Sequence, residues 1–275
     1  MDSTNLINKF QPLQALRGKA QGFYDEKEED KRICSIYPAT LGIIADLEKG
    51  IDTYLVYLRM VTFTKEELLD SFKNFGEEFY EKIKDLNILE LFFLLYSMDE
   101  TSKRTIEDAF FFFIKEYVFF VPNLTTIFIG NIKDKRTLTV DNFIQFQNII
   151  RYQNWVEVKE EEEEVNFNPA TPKAREILEK IRKGREEVAK IKSKANGKIK
   201  FHDLVASLAA KGNGLGIVNI WSISYYAFYD QLQRMSMVEE YDMLIKSALA
   251  GAKIDKNKLK KHWIRGLSIE PSNGE

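Results

Sequence analysis

The chain has 275 residues, 44% hydrophobic and 30% charged, with a formal net charge of −2. This is the composition of a globular protein with room for one large domain or two ordinary ones, and the near-neutral balance supplies no global field toward nucleic acid or an anionic membrane. A single cysteine, Cys34, excludes an intrachain disulfide and any cysteine-based zinc site, and two histidines, His202 and His262, are too few for a histidine-rich metal centre.

Residues 1–31 mix Gly, Gln, Lys and acidic residues with scattered apolar ones, and read as a mobile arm. The N-terminus lacks a basic stretch followed by an apolar one, so no secretory signal is expected. The first domain is expected over residues 32–156. ICSIY reads as a short strand. Pro38 can open the helix ATLGIIADLEKG, which Gly50 would end, and IDTYLVYLRMV continues helically. Thr64 and Glu67 have capping-box spacing before KEELLDSFKNF, which Gly76 breaks. Helices follow over roughly 77–84 and 88–96.

Ser102 or Thr105 is the expected start of IEDAFFFFIKEYVFF, an aromatic helix of the core, with a pair of strands as the alternative. Lys115 and Glu116 interrupt its apolar run, so it falls short of the roughly 18 residues of a membrane span. TTIFIG and RTLTV, joined by NIKDK, predict a β-hairpin near 125–140. It delivers the chain to DNFIQFQNIIRYQNWVEV, a helix with Thr139 or Asp141 as N-cap and Phe143, Phe146, Ile149, Ile150 and Trp155 at helical spacing. The core is expected where segments 88–96, 106–120 and 143–155 meet.

Residues 157–200 read as an acidic linker followed by a basic amphipathic connector helix. Lys173 to Lys200 carries eleven Lys or Arg against four Glu. Residues 201–266 read as a C-terminal helical module made of FHDLVASLAA, the turn KGNGLG and a long helix beginning at Trp221. Gly251 is its expected stop, and residues 267–275 are a tail. The expected fold class is mainly α with a small β-hairpin, a helical N-terminal domain plus a C-terminal helical module.

Candidate chemistry is sparse. KGNGLG lacks the G-x-x-x-x-G-K-[ST] spacing of a phosphate loop and reads as a flexible turn. His202, Asp203 and His262 could form an acid–base pair, yet no nucleophile or metal spacing accompanies them. The basic run 173–200 could touch phosphates, but its interspersed Glu and lack of aromatics favour a solvated face, so nucleic acid is not an expected partner. No cofactor and no catalytic residue are expected. The segment from Trp221 to Met243 is richer in apolar and aromatic residues than one helix face requires. It is either a core helix or a ridge for another protein's helix, and the candidate partner-binding residues are Trp221, Tyr225, Phe228, Tyr229, Leu232 and Met235.

YPATLGIIADLEKG, LTVDNFIQFQNIIRYQN, NPATPKAREILEKIRKGREEVAKIK, and WSISYYAFYDQLQRMSMVEEYDMLIKSALAGAK with KHWIRGL occur in this order over roughly residues 32–266. Together they resemble the tail assembly chaperones of long-tailed bacteriophages, in the forms found in phages of Gram-positive hosts. The resemblance implies a non-enzymatic protein of the host cell cytoplasm. It would coat and keep soluble the tape-measure protein, help recruit tail-tube subunits, and work as a homo-oligomer. A structural accessory protein of the virion tail or neck is the alternative.

Overall fold

Helices take up most of the computed structural model, which describes residues 8–28, 30–156, 199–211 and 214–251, and two small antiparallel sheets accompany them. The protein is mainly α, as its composition and patterning predict. Its described residues fall into two units: one contains those up to 156 together with those from 219 onward, the other those between. The expected acidic linker and basic connector helix lie outside the described residues, as do His262 and the tail.

The first unit begins with α1 (Pro12–Leu16), β1 (Gln21–Tyr24) and β2 (Arg32–Ile36), the two strands pairing antiparallel. Over residues 8–28 this corrects the expectation of a mobile arm: Phe10, Ala15, Gln21 and Phe23 are all buried, and residues 1–7 lie outside the described residues. The apolar residues are few, but distant partners reach Phe10, Ala15 and Phe23. Gln21 bridges Lys9 O and Gln11 N, at 2.8 and 3.0 Å, which satisfies its amide inside the fold.

Next come α2 (Leu41–Ala45), α3 (Ile51–Thr62), α4 (Lys65–Phe72), α5 (Glu77–Ile83) and α6 (Ile88–Met98). The capping box at α4 forms as its spacing predicts, with Glu67 N donating to Thr64 Oγ1 at 3.1 Å and Thr64 N to Glu67 Oε2 at 3.0 Å. Gly50 differs from expectation. It does not end a long helix but begins α3, at φ 55°, because α2 stops after a single turn or so.

The aromatic stretch is helix first and strand second. α7 (Glu100–Ile114) starts at Asp99 rather than at Ser102 or Thr105, its carboxylate accepting from both Ser102 N and Ser102 Oγ at 2.8 Å. It ends at Lys115, which turns left-handed at φ 58° and lays its ammonium over the Phe112 ring at 4.7 Å. β3 (Val118–Val121) then pairs with β4 (Thr126–Ile129), and β4 with β5 (Thr137–Leu138), so the expected hairpin gains a third strand. Gly130 follows β4 at φ 67°, and a side chain there would strike Arg136. The space is taken by a bidentate ion pair from Arg136 to Glu116, at 2.7 and 3.1 Å.

α8 (Val140–Gln153) follows, with Asn142 Oδ1 accepting from Thr139 N at 2.9 Å. Its apolar stripe meets α6 and α7 in an aromatic core, where Phe92 and Phe143 lie 5.4 Å apart and Phe110 and Phe146 stack at 5.8 Å. Its other buried residues are polar. Gln147 Nε2 donates to Val61 O and Phe63 O, and the Arg151 guanidinium donates to Thr62 O and Phe63 O, the shortest contact being 2.6 Å. These groups close the C-terminal end of α3, whose last carbonyls have no partner within the helix. A cation suits that negative end of the helix dipole. Burial lowers the pKa of Arg151, with Glu67 and Glu66 opposing.

Arg151→Met keeps the bulk of the side chain but strands the Thr62 carbonyl and leaves Phe63 O to Gln147 alone. It is expected to lower stability by about 3 kcal/mol, measured by urea unfolding. Gln147→Leu also removes a buried Oε1 that has no partner, so its loss should be smaller, about 1 kcal/mol.

Candidate partner-binding surface

The long helix α10 (Tyr225–Leu249) carries most of the candidate residues, and the segment before it explains how it is rooted. Within the first unit, residues 220–225 run antiparallel to the loop before α2. Leu41 N donates to Ile223 O at 3.0 Å, Tyr225 N donates to Ala39 O at 2.7 Å, and Thr40 bridges Ser224. Trp221 lies in a short 3-10 turn, Ile220–Ser222. Its backbone oxygen would stand 3.1 Å from a Cβ at Gly42, so glycine allows this close approach.

Ser224 is the pivot of the arrangement. Its fully buried hydroxyl accepts from Ala227 N at 3.0 Å, capping α10, and donates to Ala15 O at 2.6 Å. Beyond it the first turns of α10 are spent on the core. Tyr225 packs on Tyr54 of α3 at 5.0 Å and on Tyr229 at 4.8 Å. Burial, and then Tyr229, push the Tyr225 phenol well above its ordinary range. Tyr54, wholly buried and likewise raised by burial, donates to Asn154 Oδ1 at the end of α8. Trp155, the next residue, turns left-handed at φ 55° and donates its indole N–H to Tyr226 O at 2.7 Å. Asp230 is buried and paired with Arg234 at 2.9 Å.

The six candidates therefore divide. Tyr225 and Phe228 are buried, core residues of the first unit, as the alternative reading of a core helix has it for these two. Tyr229, Leu232 and Met235 are half-buried, and Trp221 is exposed. Residues that the sequence left unassigned extend the surface, because Met243 and Leu249 are exposed, and Leu244, Ile245 and Ala248 half-buried. From Leu232 onward, apolar side chains stand on every side of α10 rather than along one stripe. A helix with that pattern has more apolar surface than one neighbour can cover. It ends as expected, with Gly251 at φ 87° donating its N–H to Ala248 O at 3.0 Å.

The second unit holds α9 (Phe201–Ala210), with Val205 and Leu208 on its buried stripe. His202 and Asp203 approach to 3.3 Å in the open, and Asp203 accepts from Lys200 N at 2.9 Å, so its carboxylate serves the helix start. The turn KGNGLG is only partly described, Gly212 and Asn213 lying outside. Among the described residues, no three His, Cys, Asp or Glu gather where a metal ion could be held, and no helix is long and apolar enough to cross a membrane.

Residues 191–268 match the family described as the YomV second domain, a phage-associated domain family. The match covers less than a third of the chain and takes in both α9 and α10, across the boundary between the two units. No curated protein and no solved structure matches the chain.

The split between rooted and exposed residues is measurable. Phe228→Ala is expected to destabilise the first unit by about 3–5 kcal/mol, the range for emptying a buried phenylalanine site. Trp221→Ala should cost less than about 1 kcal/mol, since its side chain is partly in water. Thermal and urea unfolding of the two variants checks both.

Proposed function

We propose that the chain is a phage tail assembly chaperone. It binds the tape-measure protein, keeps it soluble, and helps recruit tail-tube subunits during tail morphogenesis. On this reading it works in the host cell cytoplasm as a homo-oligomer and catalyses no reaction. One observation carries the proposal: a long helix rooted in a folded unit by its first turns, with apolar side chains all round its remainder, inside a stretch that matches a phage-associated domain family. The ordered phrases that resemble tail assembly chaperones add to it.

The physical demands of that task fit the helix. A tape-measure protein is long, helical and apolar, and would aggregate through its exposed stripes. Its carrier needs an apolar surface that adapts to many similar segments. Methionine suits this because an unbranched side chain conforms to irregular neighbours, and α10 carries a half-buried Met235 and an exposed Met243. It must also let go. Weak contacts repeated over many copies hold firmly together, yet yield one at a time to tube assembly.

Co-expression with a tape-measure protein tests the proposal: the chain should move that protein from the insoluble to the soluble fraction. An unchanged insoluble fraction retires the reading. Mass spectrometry of purified particles separates the alternative, a structural accessory of tail or neck, which would be present in fixed ratio where a chaperone is nearly absent. Met243→Glu with Leu249→Glu should reduce the soluble partner severalfold while leaving the melting temperature of the chain within about 2 °C, since both side chains are exposed.

A further inference from the structure

The sheet β3–β4–β5 has two edges, and they differ. Gly130 N donates to Tyr117 O at 2.9 Å, and this bond fixes the phase of the β3–β4 ladder. Val118 stands opposite Ile129 and Phe120 opposite Ile127, so in that phase the N–H and C=O of Val118 and Phe120 point away from β4. The same phase turns Ile129 N toward β5, where it donates to Arg136 O at 2.9 Å. Among the described residues, no hydrogen bond reaches the four outward groups of Val118 and Phe120.

The β5 edge is guarded. That strand is two residues long, and Asn142 Nδ2 donates to the Thr137 carbonyl at 3.2 Å. The β3 edge has none of the devices by which sheets avoid further pairing. Val118–Val121 reads VFFV, with no charge, no proline and no bulge against β4.

The two faces of β3 differ as well. Phe120 turns to the core, stacked on Tyr96 at 4.0 Å and lying 5.7 Å from Phe110. Phe119 takes the opposite face and is 46% exposed. Tyr117, two residues earlier, is 73% exposed, with its ring 5.0 Å from that of Phe111. A single copy leaves this aromatic row in water beside an open edge.

We propose that the β3 edge is where two copies of this chain meet, strand to strand and antiparallel, so that their sheets become continuous. The inference rests on the reading of the chain as a homo-oligomer and names its contact. The occupant follows from the edge: it must offer unpaired N–H and C=O groups at alternate positions without a charge between them, and β3 itself does. Setting Val118 opposite Phe120 of the second copy pairs every outward group of both strands. Phe119 then faces Phe119 of the second copy as a non-hydrogen-bonded pair, the closer kind, and Tyr117 faces Val121, so the exposed rings cover one another. Charge agrees with this register. Lys115 and Glu116 fall beside Asn123 and Pro122 of the second copy, and no like charges are opposed over residues 115–123. With β5 guarded, the contact is self-complementary and stops at two copies.

Sedimentation velocity over the micromolar range should show a species of twice 32.1 kDa. Phe119→Lys sets two ammonium groups opposite each other and should raise the dissociation constant about tenfold or more, with circular dichroism unchanged because the ring is partly in water. Phe119→Cys should cross-link two copies on mild oxidation, since a non-hydrogen-bonded pair brings its Cα atoms to about 4.5 Å, within disulfide reach. Cys34, 1% exposed, should take no part, and Ile144→Cys, on α8 at a position 50% exposed, should give no such product. A chain that stays at 32.1 kDa overturns the proposal. So does a dimer that Phe119→Lys leaves intact, or one in which Phe119→Cys cross-links no better than Ile144→Cys. A tape-measure protein made soluble by a monomeric chain retires the β3 contact alone. One left insoluble by a chain that dimerises through β3 retires the chaperone reading and leaves the contact.

Discussion

Three backbone carbonyls at the end of α3 constrain the first unit more than any apolar contact. Val61, Thr62 and Phe63 close a helix inside the protein, where water cannot serve them. α8 answers with Gln147 and Arg151, one helical turn apart on the same face. Apolar packing alone lets two helices slide or rotate with little penalty, but five donor–acceptor contacts of fixed direction do not. Once α8 is held against α3 in this register, Phe143 and Phe146 fall among the rings of α6 and α7. The end of α8 is placed as well, and with it Asn154 beside Tyr54 and Trp155 beside the returning chain.

That last consequence joins the two ends of the sequence. The chain leaves the first unit after α8 and returns at residue 219, where the Ser224 hydroxyl does two jobs, capping α10 and gripping Ala15. The root of α10 is thereby as firm as the core, while its remainder carries apolar side chains with no single face to bury. On the proposed chaperone reading, such a base would fix where a helical client is held, and the apolar arm would tolerate which part of it is held.

Much of the fold was legible where local chemistry decides. Thr64 and Glu67 announce a capping box by spacing alone, Gly76 a break, and the runs TTIFIG and RTLTV a hairpin, and each is found. Boundaries were less legible where two local signals competed. Asp99 caps α7 in place of Ser102 because its two carboxylate oxygens take both the amide and the hydroxyl of Ser102. The stretch after Ile114 becomes a strand because Lys115 leaves the helical region and Val118 finds Ile129 across the sheet. Among the candidate residues, the sequence did not separate the buried ones from the exposed ones. Tyr225 and Phe228 look no different in sequence from Tyr229 and Met235, and only their neighbours from α3 and the N-terminal segment make them core.

Residue types, their periodicity and their capping groups were enough to determine a mainly helical protein, the small hairpin, the aromatic core segments and a surplus of apolar side chains late in the chain. These follow from interactions within a few residues, which a linear reading contains. The tertiary structure alone decided that residues 8–28 belong to the folded body, that the chain returns to its first unit through Ser224, and that the opening turns of α10 are interior while its later turns face outward. Those outcomes depend on contacts between residues some two hundred positions apart, such as Ala15 with Ser224 and Phe10 with Tyr226. No local pattern encodes such a meeting, because burial belongs to the pair and not to either residue.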